Sequence, residues 1–211
     1  MMSSDILKPE RIKKRIGIMG GTFDPIHFGH LLAAEESYRE LKLDKVIFVP
    51  TGQPPHKCSM SDQENRYDMT LLATAGIPYF SVSRMEIDRG RPSHTIDTLK
   101  EFRALMGNDA EFCFITGLDA ILSISTWKEY MKLPELCRLV TVTRPGYSPK
   151  NLDELPMKIR ESIIFIEIPR FSLSSTNVRE RISEGKGAKY LVPNAVEDYI
   201  RKSKLYLNDN S

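Results

Sequence analysis

Two histidines, His27 and His30, stand three residues apart directly after a Gly20-Gly21 pair and a Thr-Phe-Asp-Pro stretch. Side chains at that spacing share one face of a helical turn, so both imidazoles can donate to the same polyphosphate. Without a Cβ at Gly20 or Gly21, the backbone N–H groups around them can close on a ligand. A helix opening just beyond would add unpaired N–H groups and the positive end of its dipole. The chemistry this pattern offers is anion binding, with histidines where other phosphate loops place a lysine. Neither Gly-x-x-x-x-Gly-Lys nor the dinucleotide pattern with its spaced third glycine is present.

Such a loop needs a strand before it and a helix after it. The apolar run from Arg15 supplies the strand, and Leu31 to Leu41 has the amphipathic pattern of the helix. Downstream the rhythm repeats. Asp44 to Pro50, Phe80 to Ser83, Glu111 to Thr116, Arg138 to Thr143 and Ile163 to Ile168 read as strands, several of them continuous apolar runs of the kind buried on both faces of a parallel sheet. Asp62 to Ala75 reads as a helix with Met69 and Leu72 inward, and Thr95 to Met106 as one with Ile96, Leu99, Phe102 and Met106 inward. Alternating strands and helices predict an α/β fold, a doubly wound parallel sheet that binds ligands beyond the carboxyl ends of its strands, where the strand order switches.

Each loop that follows a strand is therefore a place to look for chemistry. After the second strand, Pro54-Pro55 sets a rigid turn before two cationic donors, His56 and Lys57. Arg66 reads as a charge on a helix surface. Ser93 is the expected N-cap of the helix opening at Thr95. Gly117 allows close backbone approach, and Asp119 can accept from two ribose hydroxyls. Trp127, the one tryptophan, has polar neighbours in Thr126, Lys128 and Glu129, which predicts a partly exposed ring able to stack on a flat ligand. Arg144 follows another strand. Ser174, Ser175 and Thr176 precede a helix carrying Arg179, where caps are the ordinary expectation.

Composition narrows the classes. With 211 residues, 41% apolar and 27% charged, the chain is long enough for one sizeable core, and a single domain over 15–206 is expected, between a polar extension (1–14) and a short tail (207–211). A net charge of +2 argues against a nucleic-acid partner and makes any anion binding local. Cys58, Cys113 and Cys137 show neither metal spacing nor a disulfide framework, so no metal site is expected and a reducing, cytoplasmic setting is the simplest reading. Residues 1–14 hold no apolar run of signal-peptide length, and no run is long enough to cross a bilayer, so no membrane partner is expected.

Taken together, the blocks resemble a known family. Gly20-Gly-Thr-Phe-Asp-Pro-Ile-His-Phe-Gly-His30 resembles the signature of the nucleotidylyltransferase superfamily, whose histidines hold ATP phosphates during adenylyl transfer on a Rossmann-like fold. Pro54-Pro-His-Lys57, Gly117-x-Asp119, the Trp127 segment, Arg144-Pro-Gly146, Ser174-Ser-Thr-Asn-Val-Arg179 and Tyr190 to Pro193 are similar to blocks of its nicotinate-nucleotide adenylyltransferases, in order from about Lys14 to Tyr206. The resemblance implies transfer of AMP from ATP to nicotinate mononucleotide, with Mg²⁺ accompanying ATP and both nucleotides as partners. A homo-oligomer is compatible with it. It implies catalytic roles for His27, His30, Lys57 and Arg179, and an ATP site at Gly20, Gly21, Thr22, Phe23, Gly117, Asp119, Ser174, Ser175 and Thr176. The acceptor site it implies is His56, Lys57, Ser93, His94, Thr95, Trp127 and Arg144, with Trp127 as the platform for the pyridine. The family reads Ser-Tyr-Thr where this chain has Ser93-His94-Thr95, and backbone amides beside its Thr receive the nicotinate carboxylate. Bound phosphates are expected to favour the charged form of the histidines. Nicotinamide mononucleotide or phosphopantetheine as acceptor, and a non-catalytic nucleotide sensor, are the alternatives.

Overall fold

The computed structural model describes residues 13–54, 61–143, 152–169 and 173–207. In chain order the main elements are β1 (Lys14–Gly21), α1 (Phe28–Glu40), β2 (Lys45–Pro50), α2 (Gln63–Thr74), β3 (Phe80–Val82), α3 (Met85–Asp88), α4 (Thr95–Met106), β4 (Ala110–Gly117), α5 (Leu118–Leu122), α6 (Leu133–Leu136), β5 (Arg138–Thr143), α7 (Met157–Arg160), β6 (Ile163–Glu167), α8 (Ser175–Ser183) and α9 (Asn194–Lys202). The strands form one parallel sheet in the order β3-β2-β1-β4-β5-β6. This is the doubly wound, Rossmann-like arrangement expected from the alternation, with its switch point between β1 and β4.

Strand alternation divides the apolar side chains between two layers. Ile16 and Ile18 of β1 face one side with Phe112 and Phe114 of β4, and α4, α5, α6 and α7 cover them through Ile96, Leu99, Phe102, Ile121, Leu133 and Ile159. Met19, Cys113 and Ile115 face the other side, under α1, α2, α8 and α9 with Ala33, Ala34, Met69, Val178, Ile182, Val196 and Ile200. The small Ala33, Ala34 and Ser37 form the buried face of α1 and let that helix sit close on the sheet.

Three expectations about helix faces and ends are corrected. Leu72 is 39% exposed, because the inner stripe of α2 is Arg66, Met69, Thr70 and Ala73. Arg66, read from sequence as a surface charge, is 1% exposed. At α4 the N-cap is His94, whose side chain makes no capping hydrogen bond, so Ser93 lies one residue outside the cap.

Candidate functional site

The switch point puts the carboxyl ends of β1 and β4 side by side, and the loops there hold most of the residues singled out above. Gly20 and Gly21 end β1 beside Val49 and Pro50 of β2. A Cβ on Gly21 would lie 2.8 Å from the Phe23 ring, so only glycine lets the chain fold back on itself here. Phe23, 2% exposed, holds a left-handed backbone with φ 51°, fixed by its packing against Phe48 and the edge of His30.

His27 is the N-cap of α1 and His30 stands one turn in. Their rings stack with centroids 3.7 Å apart. The backbone N–H of His27 donates to His30 Nδ1 at 3.2 Å. That bond makes Nδ1 the acceptor, so neutral His30 carries its proton on Nε2 and remains a donor there. Burial pushes the His27 imidazole down to about 4. Burial, reinforced by the neighbouring His27, also pushes His30 well below its usual value. Without a ligand both rings are therefore neutral at pH 7. His27 Nδ1 is buried and has no hydrogen-bond partner among the described residues.

The helix carrying the Ser/Thr cluster docks on the same loop. Ser174 caps α8 by accepting from the Asn177 amide, Ser175 Oγ donates to the Pro25 carbonyl at 2.9 Å, and Arg179 donates to the Asp24 carbonyl at 2.7 Å and to Thr176 Oγ1 at 3.3 Å. The Asp24 carboxylate points to the C-terminal segment, accepting from Tyr206 at 2.6 Å and from Ser61. His27, His30 and Arg179 thus gather on either side of Asp24-Pro25, with two helix N-termini beside them.

A cleft of about 490 Å³ opens on the other side of the glycine loop. Gly20, Gly21, Thr22 and Thr51 line one end, and Ser93, His94, Thr95, Trp127 and Lys128 line the other. Its size suits a mononucleotide. Trp127 is half-buried, its ring edge-to-face with Phe114 at 5.9 Å. Lys128 Nζ donates to Asp97 at 3.0 Å, which holds the Trp127 segment against the first turn of α4. Thr116, just before Gly117, also lines the cleft, and a Cβ on Gly117 would meet nothing, leaving open space above its backbone. Asp119 sits exposed on α5 and is not among the lining residues. His56, Lys57 and Arg144 lie outside the described residues.

Two buried charged residues tie the ends of the cleft together. Arg66 donates to the Thr22 carbonyl at 2.9 Å and to the Gly52 carbonyl at 3.0 Å. Burial pulls its guanidinium down from its usual range, opposed chiefly by Asp24, and arginine nonetheless stays charged. Glu86, 7% exposed in the cleft wall, accepts from Thr98 Oγ1 at 2.6 Å. Burial raises its carboxyl, against Thr98, the nearby Ser93 hydroxyl, Arg89 and the Gly52 amide. A Cβ on Gly52 would be driven into the Glu86 carbonyl, so this junction requires glycine. Sequence reading missed Asp24, Arg66, Glu86 and Tyr206 as members of the site. The only local signal for them was their charge or hydroxyl near a loop.

A cytidylyltransferase-like family model matches residues 18–181. A relative from Moorella thermoacetica, named "Probable nicotinate-nucleotide adenylyltransferase", is 52% identical over 198 residues, covering 91% of each chain. The chain belongs to the nicotinate-nucleotide adenylyltransferase family. A family member under the same name from Thermus thermophilus is 50% identical over 91% of this chain and 99% of its own. Among solved structures, the Plasmodium falciparum nicotinic acid mononucleotide adenylyltransferase complexed with NaAD is similar in fold, with a TM-score of 0.75 at 22% identity over 92% of this chain and 97% of that one. The adenylyltransferase signature residues Gly20 to His30 thus fall on the β1 to α1 turn, inside the matched region.

Proposed function

We propose that the protein transfers the adenylyl group of ATP to nicotinate mononucleotide, giving deamido-NAD and pyrophosphate. The observation that carries this reading is the two-part site at the β1/β4 switch. A histidine and arginine corner suited to polyphosphate lies on one side of Gly20 to Asp24, and a mononucleotide-sized cleft ending at Trp127 and the α4 N-terminus lies on the other.

In this reading the acceptor's 5′-phosphate oxygen attacks the α-phosphorus of ATP, and a new P–O bond forms as the α–β bridge breaks. No protein nucleophile is needed, because phosphate is already ionised at neutral pH, so catalysis rests on alignment and on donors for charge growing on pyrophosphate. His30 Nε2–H, the orphaned His27 Nδ1 and Arg179 are the described groups suited to ATP, with Ser174, Ser175 and Thr176 beside them. Lys57 is placed with them by resemblance. ATP binding would reverse the neutral state of the histidines, since a polyphosphate favours the imidazolium. Mg²⁺ is taken as ATP's companion from the resemblance, and such an ion would be held chiefly by phosphate oxygens and water.

Pyrophosphate release from Mg·ATP with nicotinate mononucleotide and, in parallel, nicotinamide mononucleotide tests the assignment. Release with the acid is expected to exceed release with the amide. Preference for the amide would overturn the acceptor, and silence with both would favour a nucleotide sensor.

A further inference from the structure

Asp24 takes a carboxylate into the interior, 3% exposed, where the glycine loop turns toward α1. A buried carboxylate persists only where hydrogen bonds and opposite charge replace its water. Segments remote in the chain supply both. Ser61 Oγ and Tyr206 Oη donate to the same oxygen, Asp24 Oδ1, the phenol at 2.6 Å, and the two hydroxyls lie 3.3 Å apart. The buried Arg66 guanidinium adds its field.

Tyr206 reaches that carboxylate from the turn that follows α9. The turn holds Lys204 at φ 51° and Tyr206 at φ 64°, left-handed backbone that costs free energy at residues other than glycine. The Leu205 N–H closes the turn by donating to the Ile200 carbonyl at 3.0 Å. What this strained turn delivers is the half-buried phenol. Burial first, and then the bond to Asp24, hold that phenol far above its usual value, so it remains a donor near neutral pH. None of residues 194–207 lines the mononucleotide cleft, so the strain is spent behind the site.

The backbone carbonyl of Asp24 is where this cluster meets the phosphate corner. Arg179 Nη1 donates to it at 2.7 Å and Nη2 donates to Thr176 Oγ1 at 3.3 Å. Two of the five guanidinium N–H groups thus fix the plane of the fork, and the others can take phosphate oxygens. Carboxylate and carbonyl belong to one residue, so anchoring the first limits how the peptide bearing the second can turn. We propose that Tyr206 and Ser61 are positioning residues for ATP: by clamping the Asp24 carboxylate they orient the Asp24 carbonyl, which aims Arg179 at the triphosphate. The C-terminal turn then belongs to the ATP site without touching ATP. The inference rests on the adenylyltransferase reading above and deepens it.

The test is the affinity for Mg·ATP, measured by calorimetry without acceptor, together with KM for nicotinate mononucleotide. Tyr206→Phe and, separately, Ser61→Ala should each weaken Mg·ATP binding by roughly threefold to tenfold, the scale of one neutral hydrogen bond, with the acceptor KM within about twofold of wild type. Arg179→Lys keeps the charge but loses the fork. In that background either substitution should change Mg·ATP affinity by less than about twofold, because the group it acts through is gone. A merely structural role would weaken both substrates and add fully to Arg179→Lys, and that result would overturn the inference. Wild-type Mg·ATP affinity in both single variants would overturn it too. A wild type that binds Mg·ATP but adenylylates neither nicotinate nor nicotinamide mononucleotide would instead overturn the adenylyltransferase reading, while the comparison of ATP affinities still decides the role of Tyr206 and Ser61.

Discussion

Replacing Arg66 by methionine should loosen both ends of the cleft at once. The guanidinium is fully buried and donates to two backbone carbonyls, Thr22 in the glycine loop and Gly52 after β2. Methionine fills much of the volume but donates nothing. The Gly52 carbonyl, buried where that bond forms, loses a partner at a cost of about 1–3 kcal/mol, and the part-buried Thr22 carbonyl costs about 1 kcal/mol more. Removing a desolvated charge offsets part of this, while the Asp24 carboxylate loses its favourable field. A net loss of about 3 kcal/mol corresponds to a drop of about 6–12 °C in the unfolding midpoint for a chain of this length. Thermal unfolding followed by circular dichroism reads that term. Steady-state kinetics reads the second consequence, a fall of about tenfold in kcat/KM for each substrate, as expected when misplacement enters a preorganised site. Arg66→Lys, which keeps the charge but cannot fork to two carbonyls, should fall between. A methionine variant that melts within about 2 °C of wild type and keeps its kcat/KM for both substrates would refute the argument.

Three further outcomes follow from the same geometry. His30→Ala removes the Nε2 donor and should cost about 2–4 kcal/mol of barrier in pyrophosphate release, the scale of one preorganised donor, and near wild-type turnover would remove His30 from the mechanism. His27 titrates near 4 when folded and near 6.5 when unfolded, so the unfolded chain binds the extra proton between those values and stability falls as pH drops through that window. Urea unfolding of wild type relative to His27→Gln should therefore lose about 3 kcal/mol from pH 7 to pH 4, and a difference independent of pH would contradict the buried neutral ring. Tyr206→Phe deletes the hydroxyl that donates to Asp24 at 2.6 Å, while Ser61 keeps its bond to the same oxygen; a loss of about 1 kcal/mol in unfolding free energy is expected, and no loss would show that Ser61 alone holds Asp24.

The sheet was legible because its inner strands, β1, β2, β4 and β5, are buried on both faces and are written as apolar runs. Arg138 to Thr143 was placed to the residue, and β2 and β3 were each placed to within one residue of their ends. Helix α1 begins at Phe28, before the apolar pattern that announced it at Leu31, because its cap is His27, a residue type that carries no capping signal. Helix α2 misled in a different way. Periodicity weighs residues by hydrophobicity, and the inner face of α2 holds Arg66 and Thr70 at the positions where leucines would be counted. Leu72 was therefore turned inward on paper and outward in the fold.

Arg66 and the Asp24–Tyr206 pair were the least legible members of the site, for a shared physical reason: their partners are distant in sequence. Arg66 reaches a carbonyl 44 residues earlier, and the bond from Tyr206 to Asp24 spans 182 residues. The chain of contacts from Thr22 through Arg66 to Gly52, and from Gly52 through Glu86 to Thr98, runs largely through backbone groups at strand ends. Thr51 N–H donating to Gly21, and Ser93 N–H donating to Gln53, continue that tie across the same loops. Transfer between two polyanions depends on holding the attacking oxygen in line with the α-phosphorus, and hence on the spacing between the phosphate corner and the acceptor cleft. A rigid link through Arg66 and Glu86 sets that spacing where flexible surface side chains would not. Thr98→Val tests the far end of the link. It removes the donor to Glu86 while preserving shape, and should weaken acceptor binding more than ATP binding, because Thr98 belongs to α4 and the glycine loop remains held by Arg66. Unchanged acceptor binding would show that the Thr98–Glu86 bond does not set the spacing.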